Sequence, residues 1–517
     1  MSEPDSQAPR ELTGTVVRGV GLAGSGFLLS QVINLAIYLV LARLATPTDF
    51  GQLAAGAVVV LAGLSLADSG LNAAVVQRRD RVEEAASTAV VAVVLSGVLL
   101  TAAALAISPL IGLLFHSHQV TLIAAASSGW ILIRSFAIIP DSMLQRRFSF
   151  LRRVVIDPLG VVVFGAVAIA TTAAGMGVWG LVLGNYAQFT TMSVASWVLG
   201  GWRPRLRLAS VAMWRELVAF GRHVMTSNIL VRIGGVLQTA IIGRFFGTDT
   251  LGQFRYGGRV TSSPLGALMN AGSYVLYPAL SRISDDARRF ERAFLRSVRL
   301  TCATAMPLSF MLLALGVPLA LVVFGHQWRE AGELITAMFA YSGARAYVST
   351  TRETFKASGR SERLTRIQSV SLVLTLGLIL ALSWLGPVGI GIAISLSSIG
   401  TAVYATRAVA PIAGVSVRRI TAEIWPPVAA SALMAAAVFI AQLAVEPEVH
   451  GTAVGMILLA GDALLGGLVY LGALTVIAPG TARELREILS HLRERLPWRR
   501  DSVSAVEPES NPAVPGP

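Results

Sequence analysis

Apolar residues run along this chain in long blocks, neither alternating with polar ones nor confined to one face of a helix. Ala89–Ile107 and Val454–Val476 each approach the ~20 residues that cross a bilayer as an α-helix, a length that a soluble core helix rarely needs. With Pro, Gly and charged positions taken as punctuation, the pattern predicts about fourteen spans. They fall at Val20–Ala42, Leu53–Val75, Ala89–Ile111, Val120–Met143, Val154–Thr172, Gly177–Leu199, Val224–Gly243, Gly258–Leu280, Leu300–Val323, Leu334–Thr354, Val370–Leu385, Val388–Thr406, Pro427–Leu443 and Val454–Val476. The first block follows a polar start with no early small-residue cleavage site, which predicts a retained span rather than a removed leader.

Composition agrees with that pattern: 54% of the 517 residues are hydrophobic and 14% charged, against about 25% charged in soluble domains. The net charge of +13 raises the question of nucleic acid, and the placement of the basic residues answers it. With the N-terminus inside, the even-numbered connections should collect Lys and Arg. They do: Arg78, Arg79 and Arg81 follow span two, Arg146, Arg147, Arg152 and Arg153 span four, and Arg203, Arg205, Arg207, Arg215 and Arg222 span six. Further clusters follow at Arg282–Arg299, Arg352–Arg366, Arg407–Arg419 and in the tail from Arg483. Roughly 34 basic residues fall inside and about 5 outside. The expectation is a multi-pass protein of the cytoplasmic membrane with both termini cytoplasmic and with lipid, not nucleic acid, as its surround. Thr481–Leu496 carries Leu485, Ile488, Leu489, Leu492 and Leu496 on one side, so it reads as an interfacial or a solvated helix, followed by a Pro-, Ser- and Glu-rich end.

A repeat divides the chain. An offset of 201 residues lays Arg43 on Arg244, Gly51 on Gly252, Gln52 on Gln253 and Arg81 on Arg282. The two copies lie after spans one and seven, six spans apart, so the halves share one orientation and are related by an axis along the membrane normal. The expected fold is therefore all-α and membrane-embedded, with two pseudo-symmetric six-helix lobes plus two C-terminal helices. The expected divisions are a cytoplasmic segment 1–19, an N-lobe 20–200, a link 201–222, a C-lobe 223–410, the last two spans within 411–476, and a cytoplasmic tail 477–517.

Several motifs, in this order and spacing, resemble a known family. They are Ala42-Arg43-Leu44-Ala45-Thr46-Pro47-Thr48-Asp49-Phe50-Gly51, Leu144-Gln145-Arg146-Arg147-Phe148-Ser149-Phe150, and Ile242-Gly243-Arg244-Phe245-Phe246-Gly247 leading to Leu251-Gly252. Tyr277-Pro278-Ala279-Leu280-Ser281-Arg282 and Phe324-Gly325-His326-Gln327-Trp328 extend the likeness. From about Val20 to about Arg360 the chain resembles the Wzx-type oligosaccharide and polysaccharide flippases, whose superfamily also holds multidrug and toxin extrusion transporters and lipid II flippases. The resemblance implies two six-helix bundles around a central cavity and, as cargo, a polyprenyl-pyrophosphate-linked oligosaccharide for exopolysaccharide or lipopolysaccharide synthesis. Polysaccharide polymerase or glycosyltransferases are the implied protein partners, and no cofactor is expected.

Moving a pyrophosphate through a low-dielectric layer calls for fixed cations in a wet cavity, and arginine pairs phosphate oxygens two at a time while staying protonated. Arg134 lies twelve positions before Arg146, Arg232 ten after Arg222 and Arg345 eleven before Lys356, depths of roughly 15 to 18 Å along a helix. A lone charge there costs at least about 2.5 kcal/mol, so each faces water, substrate, or an acid or carbonyl partner. Arg18 near the inner mouth, with Arg255 and Arg259 one turn apart, either completes a cationic track or snorkels to the interface. Asp68 and Asp462 are the intramembrane acids, either coupling sites for a proton or cation or structural partners of the arginines. Pro264 and Pro307 mark bends within spans.

Enzymatic signatures are missing: the six histidines show no metal-ligand spacing, and neither a phosphate-cradling P-loop nor a nucleophile elbow occurs. Cys302, the only cysteine, makes neither a disulfide nor a metal cluster. Two other readings stay open. A cation-coupled multidrug or other lipid exporter would favour acids and aromatics in its cavity. An integral membrane glycosyltransferase or ligase would need large extramembrane loops with acidic groups, and the outside connections here are short.

Overall fold

The computed structural model describes residues 29–68, 71–78, 80–146, 150–283, 285–360, 362–444 and 452–494. Those residues are helical almost throughout, without a strand among them. In chain order the helices are α1 (Leu29–Leu44), α2 (Pro47–Gly56), α3 (Val58–Asp68), α4 (Leu71–Gln77), α5 (Val82–Phe115), α6 (His118–Ser127), α7 (Gly129–Arg146), α8 (Phe150–Thr171) and α9 (Val178–Gly200). The second half holds α10 (Val211–Ser281), α11 (Ala287–Leu319), α12 (Arg329–Ala337), α13 (Phe339–Ala357), α14 (Glu362–Ala381), α15 (Gly386–Ala413), α16 (Val417–Ala444), α17 (Thr452–Ile477) and α18 (Pro479–Glu494).

Eight helical stretches among the described residues are long and apolar enough to cross a membrane, and nine if the bent pair α1–α2 counts as one span. The other expected spans are helical but fall short of that measure for physical reasons. The second breaks into α2, α3 and α4, the sixth, α9, carries Asn185, Gln188, Thr190 and Thr191 among its apolar residues, the seventh and eighth run together as α10, and the tenth, α13, carries Arg345, Arg352, Glu353 and Lys356. The most apolar helices carry their side chains outward: Leu99, Leu113, Val198, Leu468 and Val476 are all exposed, a surface that water would not tolerate but lipid does.

Local sequence explains the breaks. Thr46 caps α2 by accepting from the Asp49 amide, while the Thr46 amide donates to the Asp49 carboxylate at 2.9 Å, and Pro47 opens the helix. That capping box turns the chain by 116° between α1 and α2. Within α10 the ladder is interrupted at Gly247, whose φ of 87° is open to glycine, so α10 is two helices joined at a corner.

The hydrophobic cores show how the chain divides. One is built wholly from residues between Ala57 and Leu217, around Trp130, Ile131 and Ile139. Another is built wholly from residues between Leu280 and Ile420, around Phe294, Val298 and Phe355. Two further cores join the halves, one pairing Phe50 and Leu181 with Tyr256 and Trp328, the other Phe115 and Val120 with Ile242 and Leu334. All these joining residues lie toward one end of the helices, the end holding α2 and α12. The opposite end carries the arginine clusters. There Arg78 meets Glu216 at 2.6 Å, and that hydrogen bond, with a second from Arg81, holds the Glu216 carboxyl below the usual glutamate range.

The helix expected at the membrane surface is α18. It packs on the second half: Ala482 joins a core with Tyr470 and Leu474, and Glu484 pairs with Arg296 and, at 2.8 Å, with Arg299. The side chains of Ile488 and Leu489, and all residues beyond Glu494, lie outside the described set.

Candidate functional site

At the end where the halves join, the two copies of the sequence repeat meet each other. Thr48 Oγ1 donates to Asp249 Oδ1 at 2.9 Å, a pair that stands 201 residues apart. A Cβ on Gly51 would lie 1.6 Å from the Thr248 carbonyl oxygen, and one on Gly252 would lie 1.8 Å from that of Pro47. The two close approaches exchange under the same 201-residue offset, as a two-fold axis through the seam requires. Only glycine lets backbone reach backbone at these positions.

Polar side chains fasten the seam further. Gln327 Nε2 and Trp328 Nε1 both donate to the Ala42 carbonyl, at 2.7 and 2.8 Å. The chain after α11 widens into a π-helical turn at Ala320–Phe324. Arg43 Nη2 donates to the Val322 and Val323 carbonyls there, at 2.8 and 3.0 Å. Beneath, Tyr256 Oη donates to the Tyr38 carbonyl at 2.7 Å, and Tyr38, Phe50, Tyr256 and Trp328 pack ring against ring.

Under this aromatic roof lies a cavity of about 900 Å³ that reaches from Tyr38 and Phe50 to Arg352 and Leu364. Its walls differ in chemistry. Leu53 and Ala54 of α2, Ala57 at the junction and Leu61 of α3 make one side apolar, with Trp130 and Asn185 nearby. Arg255 and Arg259 of α10 and Arg345 and Arg352 of α13 supply four positive charges, and no Asp or Glu occurs among the described lining residues. Gln368, Ser371 and Thr375 of α14 with Ser397, Ser398 and Thr401 of α15 make the last side a neutral polar one.

Each of three arginines is held by a neighbour that leaves its charge uncancelled. Arg255 donates to the Thr239 hydroxyl, which itself donates to the Gly235 carbonyl at 2.7 Å. The Arg259 guanidinium lies 3.6 Å from the centre of the Tyr38 ring, a cation–π contact between the halves. Arg345 donates to the Tyr341 hydroxyl and sits 5.3 Å from that ring. The ion pairs of the described residues, such as Arg299–Glu484, Arg329–Glu333 and Lys356–Glu353, involve none of the four. Arg345 and Arg352 are seven positions apart, two helical turns and roughly 10 Å. A ligand bearing successive anionic groups could engage both.

Of the residues expected from sequence to carry the cargo, the structure thus brings Arg255, Arg259 and Arg345 into one cavity. Arg134 is half-buried on α7 and Arg232 exposed on α10, and neither belongs to the lining. Arg18 and the Asp68 side chain lie outside the described residues. Asp462 on α17 accepts from Gln442 Nε2 at 3.3 Å, among the last two membrane helices and not at the cavity. Arg352 was hidden by its neighbours in sequence, since it opens the basic run to Arg366 and reads there as a surface charge. Its signal was the seven-residue spacing from Arg345, which puts both on nearly one helix face.

Known proteins agree with this architecture. The chain is 25% identical over 349 residues to the succinoglycan biosynthesis transport protein ExoT of Rhizobium meliloti (strain 1021), covering 65% of this chain and 68% of that one. It is 21% identical over 354 residues to the teichuronic acid biosynthesis protein TuaB of Bacillus subtilis (strain 168), covering 68% and 73%. Among solved structures, the lipid II flippase MurJ in an inward closed conformation superposes with a TM-score of 0.70 at 14% identity, over 88% of this chain and 98% of that one, a likeness of fold. A family model described as polysaccharide biosynthesis protein matches residues 40–333, more than half of the sequence and all of the seam, and on that match the chain belongs to the polysaccharide biosynthesis protein family.

Proposed function

We propose that this protein flips polyprenyl-pyrophosphate-linked oligosaccharides across the cytoplasmic membrane for cell-surface polysaccharide synthesis. The observation that carries the reading is the row Arg255, Arg259, Arg345 and Arg352 in a cavity without a described acid. Such a row compensates the hydration that a pyrophosphate loses on leaving water, and the open polar side accommodates a glycan. The names of the relatives, a succinoglycan transport protein and a teichuronic acid biosynthesis protein, point to the same class of cargo.

In this reading the N-lobe is 20–200, the C-lobe 223–410, the link between them 201–222, and both termini are cytoplasmic. The basic end is then the cytoplasmic one, and the structure is the state whose outer side is shut by the glycine seam. Cargo enters from the cytoplasm beside Arg352 and Leu364 and moves up to Arg259 beneath the roof. Separation of the two copies of the repeat then opens the other side, and closure of the basic end completes the exchange. Arg18, Arg134 and Arg232 belong to the approach in other states of the cycle, and Asp68 and Asp462 are the candidate coupling acids. A cation-coupled drug exporter is less well supported, since a cationic cavity without an acid among its described lining residues repels the cations such exporters carry.

The test is to deplete the protein and follow the lipid-linked oligosaccharide with a membrane-impermeant oxidant of sugars. Cargo should accumulate in the inner leaflet, protected from the reagent. Unchanged labelling together with altered drug sensitivity would sink the proposal in favour of the exporter.

A further inference from the structure

Once the arginines are assigned, the neutral side of the cavity remains without a role. Gln368, Ser371 and Thr375 fall at i, i+3 and i+7, so they share one face of α14, and Ser397, Ser398 and Thr401 share a face of α15. The two stripes touch where Thr375 Oγ1 donates to Ser397 Oγ at 3.0 Å. The three α15 hydroxyls of the stripe give their protons to their own helix: Ser397 and Ser398 to the Ile394 carbonyl at 3.0 and 2.7 Å, and Thr401 to the Ser397 carbonyl at 2.7 Å. A hydroxyl that has donated to backbone still offers its lone pairs, so this stripe is a set of fixed acceptors. Gln368 and Ser371 make no hydrogen bond among the described residues and can both donate and accept.

Acceptors suit one part of the cargo and not the other. A pyrophosphate has only acceptor oxygens and is turned away by a row of lone pairs. Sugar hydroxyls present donors at close intervals, and the adaptable Gln368 amide meets whichever group remains. The arginine pair Arg345 and Arg352 is next door, because α13 and α14 both pack on α15. We propose that the α14–α15 stripe is a sugar-binding subsite that reads the hydroxyls of the glycan while the α13 arginines hold its pyrophosphate. This rests on the flippase reading above and adds to it the place where one glycan is told from another.

Binding to the full-length protein in lipid nanodiscs tests it with two probes: polyprenyl pyrophosphate bearing no sugar, and the lipid-linked oligosaccharide extracted from cells depleted of this protein. The double variant Gln368→Leu, Ser371→Ala should bind the sugar-bearing lipid about tenfold more weakly, the worth of one or two hydrogen bonds, and bind the sugarless lipid as the parent does. Gln368→Asn, which keeps the amide, should restore part of the loss. Equal affinity of the parent for both lipids would overturn the subsite and leave the pyrophosphate reading intact. Equal weakening of both lipids by the double variant would also overturn it, as a general distortion of the cavity. If the parent binds neither lipid, the flippase reading itself falls.

Discussion

Arginine, never lysine, stands at all four cationic positions of the cavity. The planar fork of Arg345 is oriented by the Tyr341 hydroxyl and that of Arg259 by the Tyr38 ring, and a lysine ammonium would offer neither the fork nor the stacking. Loss of either Arg345 or Arg352 to Ala should therefore cut transport by about tenfold or more, the worth of one charge-assisted hydrogen bond to phosphate. Lysine at the same positions should rescue only part of it. Flux of lipid-linked oligosaccharide into the outer leaflet, at matched protein abundance, decides the point: full activity of the lysine variants would mean that charge alone is needed. At this scale the sequence speaks about depth and is silent about direction. Arg345 stood out because a charge deep in an apolar block needs a reason, and it lines the cavity. Arg134 and Arg232 stood out equally, yet each helix turns 100° per residue, and the face a residue takes is settled by packing partners far away in the chain.

The helices sort themselves by what they face. Those that meet lipid are the ones whose apolar run is unbroken, such as α5, α16 and α17, and their place was plain from hydropathy alone. Those that build the seam and the cavity carry caps, glycines and arginines, so hydropathy blurs them: α2 to α4 split one expected span, and α13 is too polar to pass as one. The 201-residue echo was legible because glycines in backbone contact tolerate no substitute. The polar stripe on α14 and α15 was overlooked because Ser and Thr in membrane helices bond to their own backbone and so raise little alarm. The tail helix α18 shows the opposite case, an amphipathic pattern whose charges find fixed partners. With Glu484 half-buried against Arg299, changing it to Gln should free α18 from α11 and α17. Limited proteolysis should then cut within Pro479–Glu494 several times faster while the unfolding temperature of the helical body stays where it was; unchanged cleavage would show that Ala482 and Leu485 hold the helix without the ion pair.

Taken whole, the molecule is two cores that share one end. A machine of this kind needs a contact that is firm in one state and can be lost in the other without unfolding either half. The seam has that character, since its bonds run between segments that are each already capped, cornered or ringed by aromatics within their own half. Backbone contact at Gly51 and Gly252 makes the closed state sensitive to a single methyl group: an Ala at either position would place its Cβ under 2 Å from a carbonyl oxygen, a distance that forces the segments apart. The double variant Gly51→Ala, Gly252→Ala should therefore shift the balance toward the state open at the seam, while the cores around Trp130 and Phe294 stay folded. The only native cysteine, Cys302, is buried, so one cysteine introduced at the cavity-lining Gln238 reports water access without a competing signal. In the parent, an impermeant thiol reagent should label that cysteine from the basic end and not from the seam end; in the glycine double variant the preference should reverse. Labelling from the same side in both proteins would mean that the seam relaxes locally and that closure of the seam end is held elsewhere, by the Arg43 and Trp328 clamps on the roof.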